Sequence, residues 1–214
     1  EGYELRWYVP ASRIEAEMDE TWHIISLDSS QAVGRDANGL VITNVSDMSV
    51  TAASNVREAN LYKYAKWIAK LLIKYPKTIF VIENKAIIDT LIELLPAYGI
   101  DPFKRIYSQV VEEAEVNPDD YKEILTPLAR RREALYLKYK RKMGFNTNGN
   151  SRQYLYDQVL RQAANTTAHL VHDTVLSQEI RSLVDRNGRV DHPEGGHDDV
   201  CIAWLLAHYF VSHS

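Results

Sequence analysis

The sequence predicts an α/β fold in which a central mixed β-sheet is flanked by helices. Short β-branched runs alternate with longer segments of helical period, and this order is typical of sheets that contain a parallel pair of strands. The first two predicted strands are separated only by a loop, which favours an antiparallel hairpin. A hairpin and a parallel pair in one sheet make that sheet mixed.

The hairpin is predicted from two apolar runs. Trp22–Asp28 is short and β-branched, and Leu40–Val45 has the same composition. The intervening segment Gly34–Gly39 contains glycine, asparagine and aspartate, which tolerate positive φ and form turns. Residues 1–21 carry mixed charge and little periodicity, so we interpret them as a linker or lead-in segment before one domain at 22–214.

A helical period replaces the strand pattern from Asn55 to Tyr75, where apolar residues share one stripe and lysines point the other way. Thr78–Ile82 is the most strand-like run in the chain, and Glu83 follows it directly. A second helix is predicted from Ile87 to Tyr98, with Gly99 as its C-terminal cap. The remaining predicted elements are a strand at Lys104–Ser108, a helix at Arg152–Ala164, an edge strand at Leu170–His172, a helix at Ser177–Val184, a turn at Asp185–Gly188 and an apolar helix at Val200–Val211.

Composition excludes several classes of protein. The 214 residues carry 25 basic and 29 acidic side chains, a net charge of −4, so any contact with nucleic acid has to be a local patch. A single cysteine, Cys201, excludes a disulfide scaffold and a cysteine-based zinc site. No apolar run approaches the roughly 20 residues of a membrane helix. The composition is typical of a soluble globular domain from a reducing compartment.

The acidic residues fall at informative places. Asp28 ends one predicted strand, Glu83 ends another, and Asp198 and Asp199 precede the last helix. Functional groups of α/β sheets gather at the carboxyl ends of strands. Clustered carboxylates need a cation, and hard oxygen ligands select Mg²⁺ or Mn²⁺. Because two such ions can drive phosphodiester hydrolysis, we predict that these acids form one metal site.

Each acid also has an ordinary explanation. Asp28 could begin a turn, Glu83 could be a solvated strand end, and Asp198 and Asp199 could favour the dipole of the following helix. Three such coincidences in the right topological order are rarer than any one of them. The metal-site interpretation is therefore preferred, with these alternatives left open.

Three motifs resemble the nuclease domain of tailed-phage terminase large subunits. They are Leu27–Ser30 on the first strand, Ile82–Asn84 on a later strand, and Gly196–Val200 before the closing apolar helix. The resemblance covers about Trp22–Phe210, and the closing Gly-His-Asp-Asp is its most specific part. It implies an RNase H-like fold and metal-dependent cutting of concatemeric double-stranded viral DNA during genome packaging.

The resemblance also implies roles for individual residues. By position, Asp28, Glu83 and Asp199 match the catalytic acids of the family, and Asp198 is a close auxiliary ligand. The implied cofactors are two Mg²⁺ or Mn²⁺ ions held by these four residues. The reaction would be two-metal-ion hydrolysis of a phosphodiester.

Partners follow from the same resemblance. They are double-stranded DNA, the ATPase motor domain of the same full-length protein, the portal and the small terminase subunit, in the host cell cytoplasm and without a membrane. The chain has no Gly-x-x-x-x-Gly-Lys-Ser/Thr phosphate loop and begins with Glu1 rather than Met, so we expect an excised C-terminal domain.

The segment Arg130–Lys142 is the densest basic run, with seven basic residues and two tyrosines among thirteen. Such a run can hold phosphates, but a solvated, charge-rich helix explains it equally well. The residues predicted here to bind DNA are Arg131, Lys138, Lys140, Arg141 and Lys142.

Two other functions remain open from the sequence. A Holliday-junction-resolvase-like nuclease of the same superfamily would use a similar set of acids. A non-catalytic DNA-binding or docking module would use its carboxylates only to stabilise turns. Dependence on a divalent metal separates the enzymes from the module.

Overall fold

In the computed structural model, the described residues form a five-stranded mixed sheet between two layers of helices. The structure describes residues 3–28, 38–82, 86–107, 154–186, 189–191 and 197–213. The strands are β1 (Arg6–Trp7), β2 (His23–Asp28), β3 (Asn38–Asn44), β4 (Val50–Val56) and β5 (Thr78–Ile82), in the spatial order β1-β4-β3-β2-β5. β2 and β5 are parallel and the other pairs are antiparallel, so the predicted mixed α/β sheet is confirmed.

Helices cover both faces of this sheet. The first layer contains α1 (Ile14–Glu20), α2 (Leu61–Lys74) and α3 (Ala86–Leu94), with the short α4 (Pro102–Arg105) next to β5. The second layer contains α5 (Leu160–Thr166), α6 (Thr174–Ser182) and α7 (Asp199–His213). Between α6 and α7, β6 (Val184–Arg186) and β7 (Arg189–Asp191) pair as a separate antiparallel hairpin. Of the predicted turn Asp185–Gly188, the first two residues belong to β6 and the last two lie outside the described residues. No helix in the described part of the chain has both the length and the apolar character needed to cross a bilayer.

The central strand β2 is buried along its whole length. Successive side chains of a strand point to opposite faces. Ile25 and Leu27 pack into the first layer, whereas Ile24 packs into the second layer. Asp28, four residues after Ile24, therefore faces the second layer, which is the layer that contains α7.

The closing helix α7 is the centre of that second layer. Its residues 200–207 are fully buried, and it packs on β2 and β3. The predicted apolar helix Val200–Val211 is confirmed, with its start one residue earlier. Because the first turn of this helix lies at the carboxyl end of β2, the residues that precede Val200 come close to Asp28.

The strand β4 was not predicted. Its composition, Val-Thr-Ala-Ala-Ser-Asn-Val, lacks a continuous β-branched run, and the sequence pattern places the start of a helix within it at Asn55. Pairing with β3 on one side and β1 on the other makes this segment a strand, because the sheet satisfies its backbone hydrogen bonds. The helix α2 begins only at Leu61, where the Asn60 side chain caps it.

Two short predicted strands are wrong. Of the segment predicted at 104–108 the structure describes 104–107, where α4 ends and, among these described residues, only Ile106 forms a parallel bridge, with Phe80. The Arg105 guanidinium donates to the carbonyls of Leu72 and Thr78, so this segment is held against the end of α2 and the start of β5 by a side chain and not by a strand ladder. At 170–172 the chain follows a 3₁₀ turn, Ala168–Leu170.

Part of the lead-in segment 1–21 packs against the domain. β1 pairs with β4 in the register Arg6↔Ala53, and Met18 of α1 is fully buried in the first layer. The sequence pattern predicts no core residue here, because one buried methionine in a charged segment leaves no periodic signal. The division into 1–21 and 22–214 stays a prediction.

Candidate metal centre

Three of the four predicted acidic ligands meet at one end of the sheet. Asp28, the last residue of β2, is 3% exposed, while Asp198 and Asp199 at the start of α7 are 5% and 9% exposed. One carboxylate oxygen from each residue lies within 4.8 Å of those from the other two. Glu83 directly follows β5 and lies outside the described residues.

A glycine makes this approach possible. The strand registers place Asp28, Gly39 and Asn55 in one row across β2, β3 and β4. A Cβ atom on Gly39 would lie 2.3 Å from the carbonyl carbon of Asp199 and 2.5 Å from the amide nitrogen of Val200. Gly39 therefore lets the backbone of α7 lie directly on β3, which brings Asp199 beside Asp28.

A buried carboxylate from α6 holds the first turn of α7. Glu179, 8% exposed, accepts the backbone N–H groups of Val200 at 3.0 Å and Cys201 at 3.1 Å. The first N–H groups of any helix lack partners within that helix, so this side chain supplies them. Burial raises the pKa of Glu179 to about 7, and the charges of Asp198 and Asp173 add to the rise, although the two backbone hydrogen bonds oppose it.

A tyrosine orients one carboxylate of the cluster. The hydroxyl of Tyr156 donates to Oδ2 of Asp198, and both residues are buried. Tyr156 belongs to the π-helical turn Leu155–Val159 that leads into α5. The second helix layer thus holds the Asp198 side chain through Tyr156 and the backbone directly after Asp199 through Glu179.

The segment around β1 anchors α6. Asp173 caps α6 by accepting the N–H of Leu176 at 2.9 Å, and the Arg6 Nε donates to it at 2.8 Å. The hydroxyl of Tyr8 donates to the same carboxylate. Burial alone would raise the pKa of Asp173, but these hydrogen bonds outweigh burial and lower it. Contacts therefore run from the N-terminal segment through α6 and Glu179 to the acidic cluster.

The cluster creates a strongly negative environment. Burial raises the pKa of the Cys201 thiol well above its ordinary value, and the charges of Glu179, Asp198 and Asp28 raise it further. A reactive thiolate at Cys201 is therefore disfavoured. A cation is the group that this environment favours.

A cleft of about 540 Å³ opens next to the cluster. Asp199 and His197 line it from the start of α7, Glu179 lines it from α6, and Asn55 and Arg57 line it from the end of β4. Because Asp199 belongs to both the cleft and the cluster, a molecule bound in the cleft lies against one of the three carboxylates.

Comparison with known proteins yields matches among solved structures. No protein-family profile matches the sequence, and no curated protein does. The large terminase nuclease from thermophilic phage G20c with bound cobalt aligns with a TM-score of 0.54 and 15% identity, over 97% of this chain and 90% of that chain. The fold is that of the phage large terminase nuclease.

Other structures of this kind align less closely. The G20c nuclease with bound magnesium gives a TM-score of 0.46 at 14% identity, over 97% of this chain and 90% of that chain. The nuclease domain of the Thermus phage P74-26 large terminase gives 0.45 at 15% identity, over 97% and 87%. The RNase H-like fold implied by the sequence motifs is confirmed by the cobalt-bound structure.

Sequence reasoning missed the residues that position the acidic cluster in this terminase nuclease fold. Glu179 carried a usable signal, because it lies three residues after the buried Leu176 on the inner stripe of α6, where a carboxylate is unusual. The sequence pattern places Gly39 in a loop, and nothing in the pattern around Tyr156 indicates its contact with Asp198. The residues predicted to bind DNA lie outside the described part of the chain: Arg131, Lys138, Lys140, Arg141 and Lys142.

Proposed function

We propose that this chain is a divalent-metal-dependent endonuclease that cuts concatemeric double-stranded viral DNA during genome packaging, as the C-terminal domain of a terminase large subunit. The observation that carries the proposal is the meeting of Asp28, Asp198 and Asp199 within 4.8 Å at the carboxyl end of β2. The fold shared with the cobalt-bound large terminase nuclease of phage G20c supports it.

The residues present fit a divalent cation. Three carboxylates that are almost excluded from water repel one another, and a cation removes that repulsion. An all-oxygen donor set suits Mg²⁺ or Mn²⁺. The G20c nuclease is described with bound cobalt, which supports a divalent ion at this fold. We propose Glu83 as a fourth ligand and two ions in the complete site.

Bound divalent ions supply Lewis acidity and an activated water for phosphodiester hydrolysis. In this chain, Asp28 and Asp199 would be neighbouring ligands. Gly39 pairs with Asp28 in the sheet and leaves room for the Asp199 backbone to lie against it. Tyr156 holds one oxygen of Asp198, and Glu179 keeps the first turn of α7 in place. The carboxylates are thus positioned before a cation arrives, which favours tight binding.

The partners are part of the proposal. We propose double-stranded DNA as substrate, and the ATPase motor of the same protein, the portal and the small terminase subunit as assembly partners in the host cytoplasm. The net charge of −4 requires local basic contacts with DNA. The basic run Arg130–Lys142 remains a proposed contact.

Plasmid cleavage tests the function. Supercoiled plasmid incubated with the chain should be nicked or linearised in Mn²⁺ or Mg²⁺, and EDTA should abolish this. The variant Asp28→Asn should lose activity by orders of magnitude, because an amide is a poor ligand for these ions. The matched control is Asp19→Asn, an exposed aspartate of α1 on the opposite face of the sheet, which should cleave like the wild type. Cleavage that persists in EDTA, or in Asp28→Asn at the wild-type rate, would refute the proposal.

A further inference from the structure

The cleft beside the acidic cluster has two polar walls. The end of β4 contributes Asn55 and, directly after the strand, Arg57, while α6 contributes Gln178 and Ser182. Its volume of about 540 Å³ lies in the range of pockets that hold small ligands. Since Asp199 lies at its edge, the cleft extends the surface on which a strand bound at the cluster would lie.

Arg57 is the only arginine or lysine among the described residues that line this cleft. Its side chain is exposed and makes no ion pair or hydrogen bond with any residue the structure describes. Arg6 and Arg105 differ, because Asp173 occupies the first guanidinium and backbone carbonyls occupy the second. The guanidinium of Arg57 therefore has donors available for a ligand.

Electrostatics determines what that ligand is. The cleft is bordered by Asp199 and Glu179, so an anion enters it only where a fixed cation compensates the carboxylates. A guanidinium binds phosphate through two parallel hydrogen bonds, and this geometry is stronger and more directional than that of an ammonium group. Two residues before Arg57, Oδ1 of Asn55 accepts a hydrogen bond from Arg6 at 2.6 Å, which fixes the Asn55 amide in the lining of the cleft.

We propose that this cleft binds a backbone phosphate of the DNA strand that is cut, adjacent to the phosphate at which it is cut. Arg57 is the residue that pairs with this adjacent phosphate. The inference rests on the proposed function and adds a binding residue outside the acidic cluster. Arg57 positions the strand, and the carboxylates hold the ions. Each group has its own task, so loss of Arg57 should leave metal binding intact.

The test is the affinity for a short fluorescent DNA duplex, measured at several KCl concentrations with Ca²⁺ as a non-cleaving ion. Arg57→Ala should weaken binding several-fold and lower the slope of log affinity against log salt by up to about 0.9, the loss of one phosphate contact. Arg57→Lys should keep most of the slope, because the slope counts charges. Mn²⁺ affinity and the thermal midpoint should match the wild type in both variants.

Lys70→Ala is the matched control, because Lys70 is an exposed cation of α2 in the first helix layer, on the opposite face of the sheet. It should change neither affinity nor slope. The inference is overturned if Arg57→Ala keeps the wild-type slope, if Lys70→Ala loses as much, or if the wild type binds the duplex without salt dependence. A wild type that fails to cleave in Mn²⁺ while Arg57→Ala still loses slope refutes the nuclease but not the phosphate site.

Discussion

Replacing Gly39 by alanine separates the geometry of the candidate metal centre from the stability of the fold. The added Cβ would lie 2.3 Å from the Asp199 carbonyl carbon, whereas ordinary contacts begin at 3.4 Å. The first turn of α7 must therefore withdraw by about 1.1 Å, since backbone atoms in a close-packed layer cannot bend aside as a flexible side chain can. Overpacking of this kind costs about 1–3 kcal/mol of unfolding free energy.

The expected effect on catalysis is much larger than the effect on folding. A displacement of about 1 Å in a catalytic group lowers rates by roughly a hundredfold. A domain with about 5–15 kcal/mol of stability remains folded after a loss of 1–3 kcal/mol. Gly39→Ala should therefore give a folded protein with plasmid cleavage reduced about a hundredfold and with weaker Mn²⁺ binding by calorimetry.

Gly99→Ala is the control for this experiment. Gly99 has φ +76° and no atom within 4 Å of an added Cβ, so alanine there strains the backbone by about 1–2 kcal/mol without touching the site. It should lose similar stability and retain cleavage. The reasoning is refuted if Gly39→Ala cleaves and binds Mn²⁺ like the wild type, or if Gly99→Ala loses as much activity.

Three further outcomes follow from charges around the site. Asp28→Asn should raise the thermal midpoint in EDTA, because it relieves like-charge repulsion. In the wild type, Mn²⁺ at a hundred times its Kd should raise the midpoint by roughly 5–10 °C, and Asp28→Asn should lose this rise. An equal rise in both proteins would contradict this. Burial raises the pKa of Glu179 to about 7, so between pH 5 and 7 the folded protein retains a proton there that the unfolded chain has lost. The free energy of unfolding in EDTA should therefore fall by up to about 3 kcal/mol as pH rises from about 5 to 8. Urea unfolding of Glu179→Gln should lack that decline, and parallel pH curves would refute the assignment. Asp173→Ala should lose about 2–4 kcal/mol at pH 7, because it removes the cap of α6 and the charged hydrogen-bond partner of the partly exposed Arg6. Since the pKa of Asp173 is lowered, this difference should shrink as acid protonates Asp173 in the wild type. A difference independent of pH would argue against the ion pair.

Elements with a strong period could be predicted from the sequence, and elements formed by pairing could not. β5 is a continuous run of β-branched and aromatic residues, and it is predicted at its observed bounds. The amphipathic stripe of α2 predicts the helix and its C-terminal end, whereas its start lies six residues later than predicted. β4 is a strand only because β3 and β1 pair with it, and its small polar residues carry no period that separates it from a loop. Short segments also contain too few residues to show a period, which explains why the strands predicted at 104–108 and 170–172 are wrong.

The same distinction between local pattern and tertiary contact applies to the candidate site. The sequence by itself determined which carboxylates are available and that they end a strand or begin a helix, because these positions depend on local composition. Only the tertiary structure decided that Asp28, Asp198 and Asp199 meet, since their distance depends on how closely α7 lies on β3 at Gly39. The groups that hold them come from parts of the chain that are distant in sequence. Glu179 is 21 residues from Val200, Tyr156 is 42 residues from Asp198, and Arg6 is 167 residues from Asp173. A local pattern reports neighbours along the chain, whereas these contacts exist only because the sheet and the second helix layer bring distant segments together.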